Sequence, residues 1–148
     1  MDVDTELPPA FLAAFDPGEG TGFALLAEDG ATLDTGITRT REELYDLLSR
    51  LPRVEKVVME DYSLYQHKAL AQSGSKLETV RVIGVIEEWA HRHKAELILQ
   101  PASILPIAKL WSGIKPKGAH RDNHHVSALL HGFYYLQKNG YIKPKRWS

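Results

Sequence analysis

The 148-residue chain has no cysteine, which excludes thiolate metal sites, cysteine nucleophiles and disulfides and fits a reducing compartment. It lacks any run approaching the roughly 18 apolar residues of a membrane span. Its start, Met1 to Pro9, is acidic where an export signal is basic, so a soluble cytoplasmic protein is expected. No internal repeat and no long Gly/Ser-rich or Pro-rich linker divides it. A chain this long can bury roughly two-thirds of its unfolded surface without a staple. The expectation is one domain over 10–140, a fraying extension at 1–9 and a basic tail at 141–148.

Charge of one sign is scarce in each half. Up to Glu60 there are 5 Lys/Arg against 13 Asp/Glu, and from Asp61 onward 13 against 6, so a net charge of −1 conceals an acidic half and a basic one. All seven histidines lie in the second half. Solvated helix faces would account for such a split, and so would a surface that meets a phosphate backbone.

Apolar periodicity orders the chain. Phe11 to Asp16 is a short apolar run stopped by Asp-Pro-Gly, and Thr21 to Ala27 reads as a second strand. The Glu28-Asp29-Gly30 turn leads into a third strand, Ala31 to Thr38, completing an antiparallel meander. Thr40 with Glu43 forms a capping-box pattern, Leu44, Leu47, Leu48 and Leu51 supply a helical stripe, and Pro52 ends that helix. Val57 to Met59 reads as a buried strand, Ser75 to His93 as a long helix and Glu96 to Gln100 as a fifth strand. A short helical stretch to about Trp111, a Gly/Pro/Lys loop and a helix from about Arg121 to Lys138 close the order β-β-β-α-β-α-β-α. The fold class is therefore α/β, a mixed five-stranded sheet with helices on its faces.

Three features carry chemistry. Asp16 ends a strand and is followed by Pro17-Gly18-Glu19-Gly20-Thr21-Gly22, a glycine-rich turn that lets backbone approach a phosphate but equally serves a plain hairpin. Glu60 follows the apolar run Val57 to Met59, with Asp61 pointing to the opposite face. In the last helix Asp122 and His125 are three apart, on one face with the apolar positions Val126, Leu129, Leu130 and Phe133 behind them. On that phase His124 falls with Ala128, His131 and Tyr135, away from the site.

The apolar strand, Asp-Pro-Gly and Thr-Gly around Asp16 resemble the first motif of the RuvC Holliday-junction resolvases, members of the RNase H-like superfamily. The resemblance runs from Phe11 to about Lys138, in a chain compact enough to suit a phage-encoded member. It implies that Asp16, Glu60, Asp122 and His125 are the catalytic and metal-binding set. His125 stands where the pattern usually has a carboxylate, which favours manganese beside magnesium. Two divalent ions roughly 4 Å apart would activate a water and relieve charge on the leaving oxygen, giving 5′-phosphate and 3′-hydroxyl ends.

The resemblance also implies a loop that probes the junction with an aromatic residue, here Tyr62 or Tyr65 beside Lys68. Tyr62 could equally pack over the sheet edge. Lys109, Lys115, Lys117, Arg121 and the tail around Lys143 are expected along a phosphate-tracking groove. The helix around Gly84, apolar on more than one face, is expected to form a homodimer. The partner is branched DNA, four-way junctions above all. Alternatives are an RNase H-like nuclease acting on RNA or flaps, as in YqgF-like proteins, and a non-catalytic module that binds branched DNA.

Overall fold

The computed structural model describes residues 8–62, 74–114 and 123–145, the side chains of 74–76 excepted. The chain runs β1 (Ala10–Asp16), β2 (Thr21–Ala27), β3 (Thr32–Thr38), α1 (Arg41–Arg50), β4 (Lys56–Glu60), α2 (Gly74–Arg92), β5 (Glu96–Gln100), a 3-10 turn (Ala102–Ile104), α3 (Leu105–Ser112) and α4 (His124–Lys138). One five-stranded sheet holds the strands in the order β3-β2-β1-β4-β5. The meander β1-β2-β3 is antiparallel, and β4 and β5 join parallel to β1. This is the α/β architecture expected from the sequence. Among the described residues no helix is long and apolar enough to cross a membrane.

Alternation along the strands divides the core in two. Ala13 and Phe15 of β1 and Val57 and Met59 of β4 face α1 and α2, packing with Leu44, Leu47, Ile86 and Trp89. Leu12, Ala14 and Val58 face α4, with Ala128 and Leu136. Phe11 joins Leu12 on the α4 side because the register shifts between Ala10 and Leu12. Thr40 caps α1 as expected, its Oγ1 accepting from the Glu43 N–H at 3.1 Å, while the Glu43 carboxylate returns to the Arg39 N–H.

The phase of α4 differs from the expectation. Its buried residues are Ser127, Ala128, Leu130, His131, Gly132, Leu136 and Gln137, whereas Val126, Leu129 and Phe133 are only partly covered. The cause is closeness. A Cβ on Gly132 would stand 2.7 Å from Leu26 Cδ1, and one on Gly22 of β2 would overlap the backbone carbonyl of His124. A helix seated this near the sheet must present its small residues, and the bulkier apolar ones splay to the flanks. Hydrophobicity alone points to the wrong stripe.

Candidate active site

Strand parity builds the site. Asp16 shares the face of Ala14, Glu60 that of Val58 and Gln100 that of Ile98, so all three polar residues project towards α4. The parallel register pairs Phe15 with Met59 and Glu60 with Gln100, which sets Asp16, Glu60 and Gln100 side by side at the C-terminal ends of β1, β4 and β5. All three are buried, Asp16 to 3% and Glu60 to 7% relative exposure.

From above, α4 supplies two imidazoles on its sheet-facing stripe. His124 Nδ1 lies 3.1 Å from Asp16 Oδ2, and His131 Nε2 lies 3.1 Å from Glu60 Oε1. Their spacing of seven residues is close to two helical turns, which is why both face the sheet. The Tyr62 hydroxyl donates to Asp16 Oδ1 at 3.2 Å. Burial raises the Tyr62 pKa and the charges of Asp16 and Glu60 raise it further, so the phenol stays protonated and donates. The hydrogen bond to Asp16 raises the pKa of His124, with burial and the Arg39 charge pulling the other way.

The expectation that His124 points away from the site is therefore corrected, for the reason given for the helix phase. His125 is partly buried and, among the described residues, makes no hydrogen bond or ion pair with Asp16 or Glu60. Asp122, the other helix position of the expected set, lies outside the described residues, as do Tyr65, Lys68, Lys115, Lys117 and Arg121. Lys109 is exposed on α3. Tyr62, considered for base stacking, instead has its hydroxyl on Asp16 and its ring against the α2-side core, the packing role that the sequence left open.

Three residues at or near the site were missed. His131 and Gln100 are buried polar groups inside apolar segments, and the interruption of both runs was a usable signal. Arg39 follows β3 and is near enough for its charge to act on His124. The glycine turn also proves to have a second role. Gly18 lies against the His124 ring and Gly22 under its carbonyl, so the turn seats the start of α4.

Buried carboxylates with imidazoles beside them have the hard-oxygen and nitrogen chemistry that a divalent cation takes. Among the described residues no three such groups gather closely enough to hold one ion, and Asp122 is not among those residues.

No protein-family model matches the chain, and no curated protein matches it. Solved structures do. The structure of T. thermophilus RuvC in complex with a Holliday junction substrate superimposes with a TM-score of 0.59 at 19% identity, covering 90% of this chain and 99% of that one. A second Thermus thermophilus RuvC structure gives 0.55 at 17% identity over the same shares. These likenesses establish the fold as RNase H-like.

Proposed function

We propose that the protein is a structure-selective nuclease that hydrolyses phosphodiester bonds in branched DNA, four-way junctions above all, using divalent cations held at Asp16 and Glu60. One observation carries the proposal. Two buried carboxylates stand at neighbouring strand ends, and among the described residues neither has a lysine or arginine in hydrogen-bond contact. Adjacent carboxylates of this kind offer the hard oxygen ligands that a divalent cation takes. The shared fold with a RuvC bound to a Holliday junction supports the substrate class.

In this reading Asp16 and Glu60 are metal ligands together with Asp122 and a histidine of α4. The contact with Asp16 favours His124 over His125. Magnesium or manganese, when bound, supplies an activated water and charge relief at the leaving oxygen. The chain's own residues orient the carboxylates and keep the Tyr62 and His124 donors on Asp16. From Pro101 onward there are eight Lys/Arg and a single acid, Asp122, a balance suited to duplex phosphates. Lys109, Lys115, Lys117 and Arg121 are the proposed phosphate contacts, with Tyr65 and Lys68 near the junction centre.

A homodimer through α2 completes the proposal. Gly84 is exposed with open space over its Cα, and it lines a groove of about 680 Å³ with Val85, Trp89 and Tyr45. Val82 is buried in the core, so Val85 is the position at which a charge tests the interface. The deciding experiment is a gel with a labelled four-way junction, linear duplex, flap and RNA–DNA hybrid, each with magnesium, manganese or EDTA. Nicks in the junction with either metal and none in EDTA are expected. Cleavage of the hybrid alone would replace the resolvase reading with an RNA-directed one.

A further inference from the structure

Glu60 is held by a chain of polar groups that reaches back into the core. His131 is fully buried, with Glu60 on one ring nitrogen and Gln100 on the other. The Gln100 Nε2 atom lies 3.0 Å from the His131 carbonyl oxygen and 3.1 Å from His131 Nδ1. A carbonyl oxygen only accepts, so the amide group facing it must be the NH2. The second hydrogen of that NH2 then faces Nδ1, which must be the unprotonated nitrogen. The ring proton accordingly sits on Nε2, 3.1 Å from Glu60 Oε1, and is donated to the carboxylate.

Gln100 is itself fixed. It pairs with Glu60 in the β4–β5 register, and its backbone carbonyl accepts the Asp61 N–H at 2.7 Å. Every link therefore rests on backbone, through the sheet at one end and the His131 carbonyl in α4 at the other. Stability does not account for such a trio, since apolar side chains of similar volume often replace buried polar networks at no loss.

We propose that His131, locked by Gln100 as the Nε2–H tautomer, is a positioning residue that pins one oxygen of Glu60 and so holds that carboxylate in a single orientation for its cation. The role of Glu60 as a ligand rests on the proposed nuclease reading; the tautomer and the hydrogen bond do not.

Two measurements test it. In metal-free protein labelled with 15N-histidine, long-range 1H–15N correlations of His131 at pH 7.5 are expected to show the Nε2–H tautomer. An Nδ1–H tautomer or an imidazolium would overturn the proposal, and this arm needs no variant. The second reads Mn2+ affinity from the electron paramagnetic resonance of the free ion, with melting in EDTA recorded alongside. His131→Leu is expected to weaken Mn2+ binding about 10- to 100-fold, as loss of a ligand's hydrogen-bond partner does. His131→Gln, whose amide nitrogen can still donate to Glu60, is expected to restore affinity to within a few-fold of wild type. Equal Mn2+ affinities in these two variants would overturn the proposal. If Asp16→Asn leaves Mn2+ affinity unchanged, the metal-nuclease reading fails instead, and the tautomer still decides whether His131 donates to Glu60.

Discussion

Asp16 and Glu60 are near neighbours of similar burial, yet the structure holds them in different ways. Asp16 is gripped from the rim, by a tyrosine just beyond β4 and by a histidine in the first turn of α4. Glu60 is within reach of the same tyrosine and is gripped besides from the core, by a histidine with no exposure whose second nitrogen is also occupied. Rim groups at a helix start and a strand end can move at little cost, whereas a packed interior has few alternative arrangements. Asp16 thus has partners from the helix start and the strand end alone, and Glu60 has a fixed core partner in addition. A site that must admit and release a cation benefits from both, a stationary ligand and one whose protein partners can give way.

The largest expected effect breaks the site from either side. Asp16→Asn and Glu60→Gln should each abolish junction cleavage, a loss greater than the roughly 10- to 100-fold typical of removing a ligand's hydrogen-bond partner. Junction binding in EDTA should stay within a few-fold of wild type, because the basic surface is untouched. Gel shift and cleavage on one labelled junction check both. Parallel loss of binding and cleavage would mark a folding defect.

The two adjacent histidines at the start of α4 sharpen the comparison. His124→Ala should reduce cleavage more than His125→Ala, since of these two His124 is the one hydrogen-bonded to a site carboxylate. Adding Mg2+ to labelled protein should shift the ring resonances of His124 more than those of His131. A larger shift at His131 would reverse the assignment of which side yields.

Two glycines test the seating of α4, where the comparison has its physical origin. Gly22→Ala drives a Cβ into the His124 backbone, which can move only with the helix, so a cost of about 3 kcal/mol, at the top of the overpacking range, is expected. Gly132→Ala meets Leu26 Cδ1, the end of a flexible side chain, and gains about 1 kcal/mol of helix propensity, so its net effect should lie within about 1 kcal/mol of zero. Chemical denaturation of the two variants reads the difference. Equal stabilities would mean that the helix start is not held by the glycine turn.

Much of this arrangement was legible in the sequence. The strands Thr21–Ala27 and Glu96–Gln100 were read to the residue, and the Asp-Pro-Gly turn placed Asp16 at a strand end. Period-two alternation then put Glu60 on the face opposite Asp61, as the register requires. What could not be read was how closely α4 approaches the sheet. That distance is set by glycines on two different elements, Gly22 and Gly132, and it selects the small-residue stripe over the apolar one. With the phase misjudged, His124 fell off the site and His131 was not considered. Gln100 was read only as the end of a strand, because a strand pattern reports burial and not a side-chain partner.

The smallest expected effect is a pH dependence that belongs to the Asp16 side. The hydrogen bond to Asp16 raises the His124 pKa above its ordinary value of 6.5 in the folded, metal-free protein. A group whose folded pKa is raised binds its proton more tightly in the native state, so it stabilises the fold fully below the unfolded pKa and loses that contribution as pH rises through the folded one. The stabilisation is therefore fully present below the ordinary histidine pKa of about 6.5 and is lost as pH rises through the raised folded value. Comparing wild type with His124→Ala in EDTA, the melting-temperature difference should be larger at pH 5.5 than at pH 9, and modest throughout because the pair lies near the rim. Saturating Mg2+ should shrink the difference at low pH if the cation competes with the imidazolium for Asp16. A melting difference that grows with pH instead would mean that His124 meets Asp16 as a neutral donor alone, and the two carboxylates would then be held by the same kind of bond.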